Sequence, residues 1–539
     1  MNHFFLRISA LLCLIIFGCQ DDRIQLPIAA AFPKQIGLTS ERPNTQIVLS
    51  GSGQFDLSWS LAYKPDWLHV SPTSGYIQNG VIEIIARTEN LLPQTLTDQI
   101  IISTTTGNIE IPVTLSITFS NAVQLTLLPF IDYHETTKEF SIINHSDEPA
   151  SWTIETTANY LSISPASGTL NAGQTSLLTL SVDRSDLETK DYTGELVLKI
   201  GGIQSFDMNL LIKSFKEEKW LLDGPVTDSE YDRAGDNLVV VIDNQLQKLK
   251  PDSREIESVI LPKPGTCVSV SKDGMYAAVG HESLISLVDL TQMQIEKTFP
   301  ISFSAWDIVL APNDWIYAFP KGSNDTRITC VNILDGSQVL SSGTQIHGNT
   351  KARLHPSGDY IYGWRNGLYP YDAEKYDIRN GQAIYLYESP YHGEHEFIDQ
   401  PWITDDGDRI FTPEGKIFNA STTQSEDLIY QGSLSIEHNL WIQAFDHNGL
   451  TNRICAVYFD YHKDPDECKA QIFSGDDLNA LATVTLPGFL VGQPSSFQIV
   501  PSEGAYGFFN SGGTKFHAIV RSRTFTSEVY WAVTTINVD

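Results

Sequence analysis

Five residues in the C-terminal three fifths of the chain have the types needed to hold a sugar: Trp306, Lys351, Arg353, Asp399 and Trp402. An indole face stacks on a sugar ring, and neighbouring Asp, Lys and Arg hydrogen-bond its hydroxyls. The same two tryptophans could instead pack between structural repeats. A second cluster, His392-Gly393-Glu394-His395-Glu396 after Tyr391, carries the donor types of a metal site. It lacks the His-Glu-x-x-His order of a helical zinc protease and lies in a loop between Pro390 and Pro401, so no metal is assigned to it. No Gly-x-Ser-x-Gly elbow and no phosphate-binding glycine loop occurs, and in an acidic chain no carboxylate pair stands out as a glycosidase dyad. No catalytic residue is therefore named, and no cofactor is expected.

The elements that must position these residues are short strands in a faint repeat from about Trp220 to Asp539. Its turns read Gly235-Asp236, Asp273-Gly274, Asn313-Asp314, Ser357-Gly358, Asp406-Gly407 and Glu503-Gly504. Each divides one apolar run from another, a hairpin signal. Four steps of 38, 40, 44 and 49 residues separate the first five turns, and the last gap, 504 − 407 = 97, spans about two more units. Periods near 40 to 50 indicate four-stranded propeller blades, about seven of them. Propeller ligands sit around the central channel where the innermost strands begin. Counting about eight residues back from each turn puts Thr266, Trp306, Thr350, Asp399 and Ser496 there, closely followed by Lys351, Arg353 and Trp402. Val529 to Val538 alternates well enough to be the strand that closes the ring.

With 65 acidic against 35 basic residues, the net charge is −30. A phosphate backbone needs a basic surface, so nucleic acid is excluded as a partner. Few Met and many Ser, Thr, Gly and Tyr, without long helical periods, indicate an all-β protein. Of the cysteines beyond the N-terminal segment, Cys267 and Cys330 lie in apolar strand patterns and read as buried thiols. Cys455 and Cys468 flank the polar segment His462 to Glu467 and could be bridged across a hairpin in an oxidising compartment.

The N-terminus has Arg7, an apolar stretch from Ile8 to Phe17 broken only by Ser9, and then Gly18-Cys19. It is too short to span a bilayer as a stable anchor and has the form of a secretory signal. Its end resembles a bacterial lipobox, which implies cleavage before Cys19 and lipidation of that cysteine. The acidic Gln20-Asp21-Asp22 that follows resembles the surface-export signal of Bacteroidetes lipoproteins. That implies the outer membrane, facing the cell surface, with the periplasmic face as the alternative.

Between this anchor and the propeller, Trp67-Leu68-His69-Val70-Ser71-Pro72-Thr73-Ser74-Gly75 is answered by Tyr160-Leu161-Ser162-Ile163-Ser164-Pro165-Ala166-Ser167-Gly168, an offset of 168 − 75 = 93 residues. That is the size of one immunoglobulin-like sandwich, and alternating strand patterns follow each copy. Ser-Pro-x-Ser-Gly reads locally as a tight turn, and Trp67 and Tyr160 as core plugs. The signature, with Asp183-Arg184-Ser185-Asp186-Leu187 and Asp191-Tyr192-Thr193-Gly194 in the second copy, resembles the BACON domain of Bacteroidetes surface proteins. The resemblance covers about residues 25 to 215 and implies an extracellular module, often attached to carbohydrate-active proteins, for which glycan or mucin binding has been proposed. The blades resemble WD-repeat and related seven-bladed families only loosely, since Trp306-Asp307 precedes its turn.

The expected architecture is all-β, two immunoglobulin-like β-sandwiches followed by a β-propeller of about seven blades. The segments are a leader at 1–18, a lipidated tether at 19–32, sandwiches at 33–119 and 120–215, and the propeller at 216–539. The expected function is non-catalytic binding of a glycan or glycoprotein at the cell surface, with the sandwiches as spacer. A propeller lyase or glycosidase, or a scaffold subunit of an outer-membrane nutrient-uptake complex with protein partners, are the alternatives.

Overall fold

In a computed structural model, the chain is described over residues 29–538, except 41, 52–56, 78–79, 88–93, 118–122, 127–129, 202, 367–368, 370, 396, 437–439, 461–466, 494–496 and 524–528. The leader, Cys19, Gln20-Asp21-Asp22 and Ser496 lie outside the described residues. The described chain is all-β, two sandwiches and then a propeller.

Both sandwiches have the same plan. In the first, a four-stranded sheet of order Ala29–Phe32, Asn44–Gly51, Val81–Ala86 and Leu68–Ser71 packs on a five-stranded sheet that runs from Ile36–Thr39 to Ser74–Tyr76. The second repeats this four-plus-five arrangement between Val123 and Ser214. Strands such as Val81–Ala86 alternate buried and half-buried positions, which sends Ile82, Ile84 and Ala86 into one core. Ala29–Phe32, part of the tether as read from the sequence, pairs with Val48 to Gly51 as an edge strand of the first sandwich. Trp67 and Tyr160 both pack half-buried against their cores, as expected of plugs.

Hydrophobic contacts join the modules. Val48 of the first sandwich meets Phe130 and Leu211 of the second. Where the second sandwich meets the propeller, Lys219 is fully buried between aromatic rings. Its Nζ donates to Gly488 O at 2.6 Å and lies 4.4 Å from the Phe489 ring centre. Phe489–Val491 belongs to a two-stranded hairpin inserted between the sixth and seventh blades, and His134 stacks edge-on against Phe497 beside it, 4.7 Å between centroids.

Seven four-stranded blades are present among the described residues. Blade 1 runs from Val226–Asp232 to Glu255–Ile260, blade 4 from Lys351–Leu354 to Ile384–Glu388, blade 5 from Trp402–Ile403 to Tyr430–Ser433, and blade 6 from Ile442–Asn448 to Ala480–Thr485. Blades 2 and 3, from Cys267–Val270 to Gln338–Leu340, share one continuous run of pairing. The strand Tyr276–Asp289 doubles back at Ser283, whose φ is 60°, with the Leu290 N–H bonding Met275 O, and Gln294–Ala311 leaves blade 2 to become the innermost strand of blade 3. Blade 7 takes Ser502–Phe509, Lys515–Ser522 and Trp531–Asn537 from the C-terminus and its outer strand, Trp220–Leu222, from the beginning of the propeller. Pairing first with last closes the ring and removes two open edges. A second strand of a blade, such as Asn237–Ile242, is buried at every position because a neighbouring blade covers each face, so it reads as an unbroken apolar run.

Two expectations are corrected here. Glu503-Gly504 is not a turn but lies within the strand Ser502–Phe509; the turn of blade 7 is at Ser511 to Thr514, and that of blade 6 at Gly449 to Asn452. Cys455 and Cys468 are both free and buried. Cys455 faces Ile472 and Cys468 faces Phe459, so the thiols stand four positions out of register and pack into the apolar core between blades 6 and 7. Cys267 and Cys330 are buried thiols, as read.

Candidate functional site: the propeller channel

The innermost strands of blades 1, 3, 6 and 7 each carry one extra residue at the same place, shown by register shifts after Val226, Ala305, Ile442 and Gly504. A bulge bends a strand and re-aims the side chains that follow. In this propeller it directs polar side chains sideways, across the gap between blades. Asp228 accepts the Val268 N–H at 2.8 Å and Glu230 that of Val270 at 2.7 Å, both from blade 1 to blade 2. Asp307 accepts the Ala352 N–H at 2.7 Å, from blade 3 to blade 4. Between blades 6 and 7, Gln443 accepts the Gly504 N–H at 2.8 Å and Asp446 that of Phe509 at 2.7 Å. The channel carboxylates thus act as staples between blades.

Cations complete the lining. Lys351 lies 3.9 Å from Asp307, and burial, which lowers its pKa, is outweighed by Asp307 and Asp228, which raise it. Arg353 lies 3.7 Å from Asp307 and donates to Gln400 Oε1 at 2.7 Å. Arg233 of blade 1 reaches across the channel to Asp446 of blade 6 at 2.7 Å and to Asp405 beside the blade 5 turn at 3.4 Å. Burial alone would lower the Arg233 pKa; Asp446 and Asp405 hold it above the ordinary value. Desolvation raises Asp228 and pushes Glu230 up to about 7.

Within this frame a cavity of about 200 Å³ opens, lined by Glu230, Arg353, Gln400 and Asp446 and by the rings of Tyr231, Trp402, Phe445, Tyr506 and Phe508. Aromatic faces with a few convergent polar groups are what a small hydroxylated ligand requires. The two tyrosine hydroxyls are committed, Tyr506 donating to Thr227 O at 2.8 Å and Tyr231 to Asp236 Oδ1 at 3.0 Å.

Of the residues singled out from sequence, Arg353 and Trp402 line this cavity. Lys351 stands one alternation away, 5.3 Å from the Trp306 ring centre. Trp306 does not line it: its indole is half-buried under Lys351 and Lys321, with Nε1 buried and without a partner among the described residues. Asp399 is exposed, and its backbone, at φ 66°, is pinned by Asn366 through bonds of 2.7 and 2.8 Å. Thr266 and Thr350 spend their hydroxyls on backbone carbonyls. Glu230, Arg233, Asp446, Tyr506 and Phe508 were missed. Counting back from the true blade 7 turn at Gly512 instead of Gly504 brings Tyr506 and Phe508 into the innermost strand.

The histidine cluster does not come together. His395 is stacked on Tyr430, with centroids 4.4 Å apart, and edge-on to Tyr391 at 4.5 Å. His392 turns the other way, with Nδ1 3.8 Å from Asp372 Oδ2, and the ligand atoms of Asp372, Glu388 and His392 fall within 4.8 Å of one another. Asp372 already accepts from Ser389 and the Ala373 N–H, and Arg365 lies 3.5 Å from Glu388. The guanidinium occupies the electrostatic role a metal would have, and no metal is assigned.

Residues 31–119 and 126–208 each match the family model described as the viral BACON domain. The match covers the two sandwiches and not the propeller. No curated protein sequence matches the chain. Among solved structures, the chain is similar to the β-propeller domain of Myceliophteria thermophila Cps50 (Swd1), at 12% identity and a TM-score of 0.44, over 59% of this chain and 99% of that one. It is similar also to Kuenenia stuttgartiensis hydrazine synthase, at 14% and 0.43 over 59% and 97%, and to U3-55K, at 15% and 0.42 over 59% and 98%. Scores this low add nothing to the blades that the strand pairing itself displays.

Proposed function

We propose that this chain is a non-catalytic glycan-binding protein of a bacterial cell surface, anchored through a lipid on Cys19 and held off the membrane by its two BACON-type sandwiches. The observation that carries the reading is the channel cavity, whose wall takes Tyr506 and Trp402, the latter also packed against Phe445 at 5.7 Å between centroids, beside Arg353, Gln400 and Glu230. The commitments around it favour binding over turnover. Asp228, Glu230, Asp307 and Asp446 all accept backbone N–H groups of the next blade, and the tyrosine hydroxyls are bonded to the protein. Each group thus has a structural task in the channel wall, which a binding channel needs. The apolar joints between modules suit a spacer that keeps one orientation.

A glycan array probed with the full chain and with Trp402→Ala tests the reading. Selective binding that Trp402→Ala weakens about tenfold or more, ~1.4 kcal/mol, is expected. Binding unaffected by the substitution moves the site out of the channel, and silence of the full chain removes the glycan. Loss of membrane association in Cys19→Ala is the matching expectation for the anchor. A protein-binding scaffold would instead use the outer strands of blades 3 and 4, where Val339, Leu340, Ile384 and Leu386 are exposed.

A further inference from the structure

The channel cavity is small. At about 200 Å³ it falls below the roughly 300–1,000 Å³ of pockets that enclose drug-sized ligands, so it has room for one end of a chain and not for a whole oligosaccharide. A second cavity, of about 580 Å³, lies over the start of blade 1. The two share a wall: Tyr506, which lines the first, donates to the carbonyl of Thr227, which lines the second.

The second cavity has a different chemistry. Asn244, Gln245 and Gln247 line it with amides, and Asp223 and Asp243 are the charged residues in its wall; it has no Lys or Arg among its described lining. Gln247 is only 7% exposed, and its Nε2 donates to Gln245 Oε1 at 3.2 Å, so one buried amide orders the next. Side-chain amides both donate and accept, which matches the two-way hydrogen bonding of sugar hydroxyls. A carboxylate or sulfate on the ligand would meet Asp223 and Asp243 without a compensating cation. In the channel, too, acidic groups outnumber the cations even without Glu230, with Asp228, Asp307, Asp405 and Asp446 against Arg233, Lys351 and Arg353.

We infer that the two cavities form one extended site for an uncharged glycan chain, the channel taking its terminal residue and the amide-lined cavity the residues behind it. The inference rests on the glycan reading of the channel and adds a second subsite, a direction and a ligand class.

Titration calorimetry of the full chain tests it with gluco-, manno- and galacto-oligosaccharide ladders, mono- to hexasaccharide, beside oligogalacturonides of equal length. Affinity for the preferred neutral ladder is expected to rise about tenfold or more with length. The double substitution Asn244→Ala with Gln245→Ala, at an exposed and a half-buried position, should abolish that rise and leave the monosaccharide unaffected, whereas Trp402→Ala should weaken every length. A wild type with no gain in affinity with length overturns the inference, as does a double variant that keeps the gain. Oligogalacturonides bound more tightly than the neutral ladder overturn the uncharged class. Trp402→Ala binding every length like the wild type removes the channel reading instead, and the two failures are distinct.

Discussion

In the first sandwich Gly75 lies against the indole of Trp59, and in the second Gly168 lies against that of Trp152; each glycine follows its tryptophan by 16 residues (75 − 59 and 168 − 152). The propeller repeats differently. The position that follows the bulge is Asp228 in blade 1, Asp307 in blade 3, Ala444 in blade 6 and Tyr506 in blade 7. One region repeats a side-chain contact, the other a backbone. A glycine pressed on an indole leaves no room for change on either side, so both copies keep the pair. A blade is specified by its ladder, its bulge and its turn, and the side chain sent into the channel is then free to differ. Structural repetition in the sandwiches and variety in the channel fit the proposed spacer that carries a binding face.

The largest expected effect comes from a contact that belongs to one pair of blades alone. Lys375 of blade 4 and Asp427 of blade 5 form an ion pair at 2.8 Å with almost no exposure on either side, and Lys375 also donates to Ser421 O at 2.6 Å. Tyr362 and Tyr387 donate to the same carboxylate. Lys375→Met would strand a buried charge and should cost about 3–5 kcal/mol. The propeller's own melting transition should fall while that of the sandwiches stays in place. Adding Asp427→Asn should recover part of the loss; if it recovers none, the pair is not what joins these blades.

The equivalence of the sandwiches can be tested next. A Cβ on Gly168 would stand 3.0 Å from the Trp152 ring, and one on Gly75 3.2 Å from that of Trp59. Gly168→Ala and Gly75→Ala should each cost about 1–3 kcal/mol of overpacking, Gly168→Ala the more, with glycan binding unchanged. Calorimetric scans of the two variants would separate them. Equal, negligible losses would show that the repeated pair is not a packing constraint.

This pair also shows where sequence reasoning succeeded and where it stopped. The signature Ser-Pro-x-Ser-Gly was visible, and with it the two modules. Its glycine was assigned to a tight turn, yet neither Gly75 nor Gly168 has a positive φ; both sit in strands, Ser74–Tyr76 and Ser167–Leu170, facing an indole from another strand. A local rule cannot see that partner. In the propeller, five turns were legible, four by a polar-Gly pair and one by Asn313-Asp314. The sixth places an exposed Leu450 at its tip, and the hairpin inserted before blade 7 breaks the period, so Gly504 was taken for the turn of the last blade. Arg353 and Trp402 could be found by counting from correct turns. Arg233 and Asp446 matter through a bond across the channel, from blade 1 to blade 6, which no spacing along the chain encodes.

The smallest effect bears on the channel side of the comparison, whether its acids are staples first. Glu230 is held by the Val270 N–H, and desolvation pushes it up to about 7 from the ordinary 4.5, so the folded protein binds a proton there that the unfolded chain has released. Stability from this group is fully present below pH 4.5 and is lost as pH rises through about 7. Partial solvent access reduces the contribution to roughly 1–2 kcal/mol, below what ~1.4 kcal/mol per pKa unit would give. Glu230→Gln keeps a carbonyl to accept the Val270 N–H and removes the titration. Its stability at pH 5 should stay close to that of the wild type, and the wild-type decline between pH 5 and 7.5 should flatten by that amount. A variant that declines as steeply as the wild type would mean that Glu230 is ionised throughout, open to the channel and not bound into the wall, and the carboxylate would then belong with Trp402 among the groups that face the ligand.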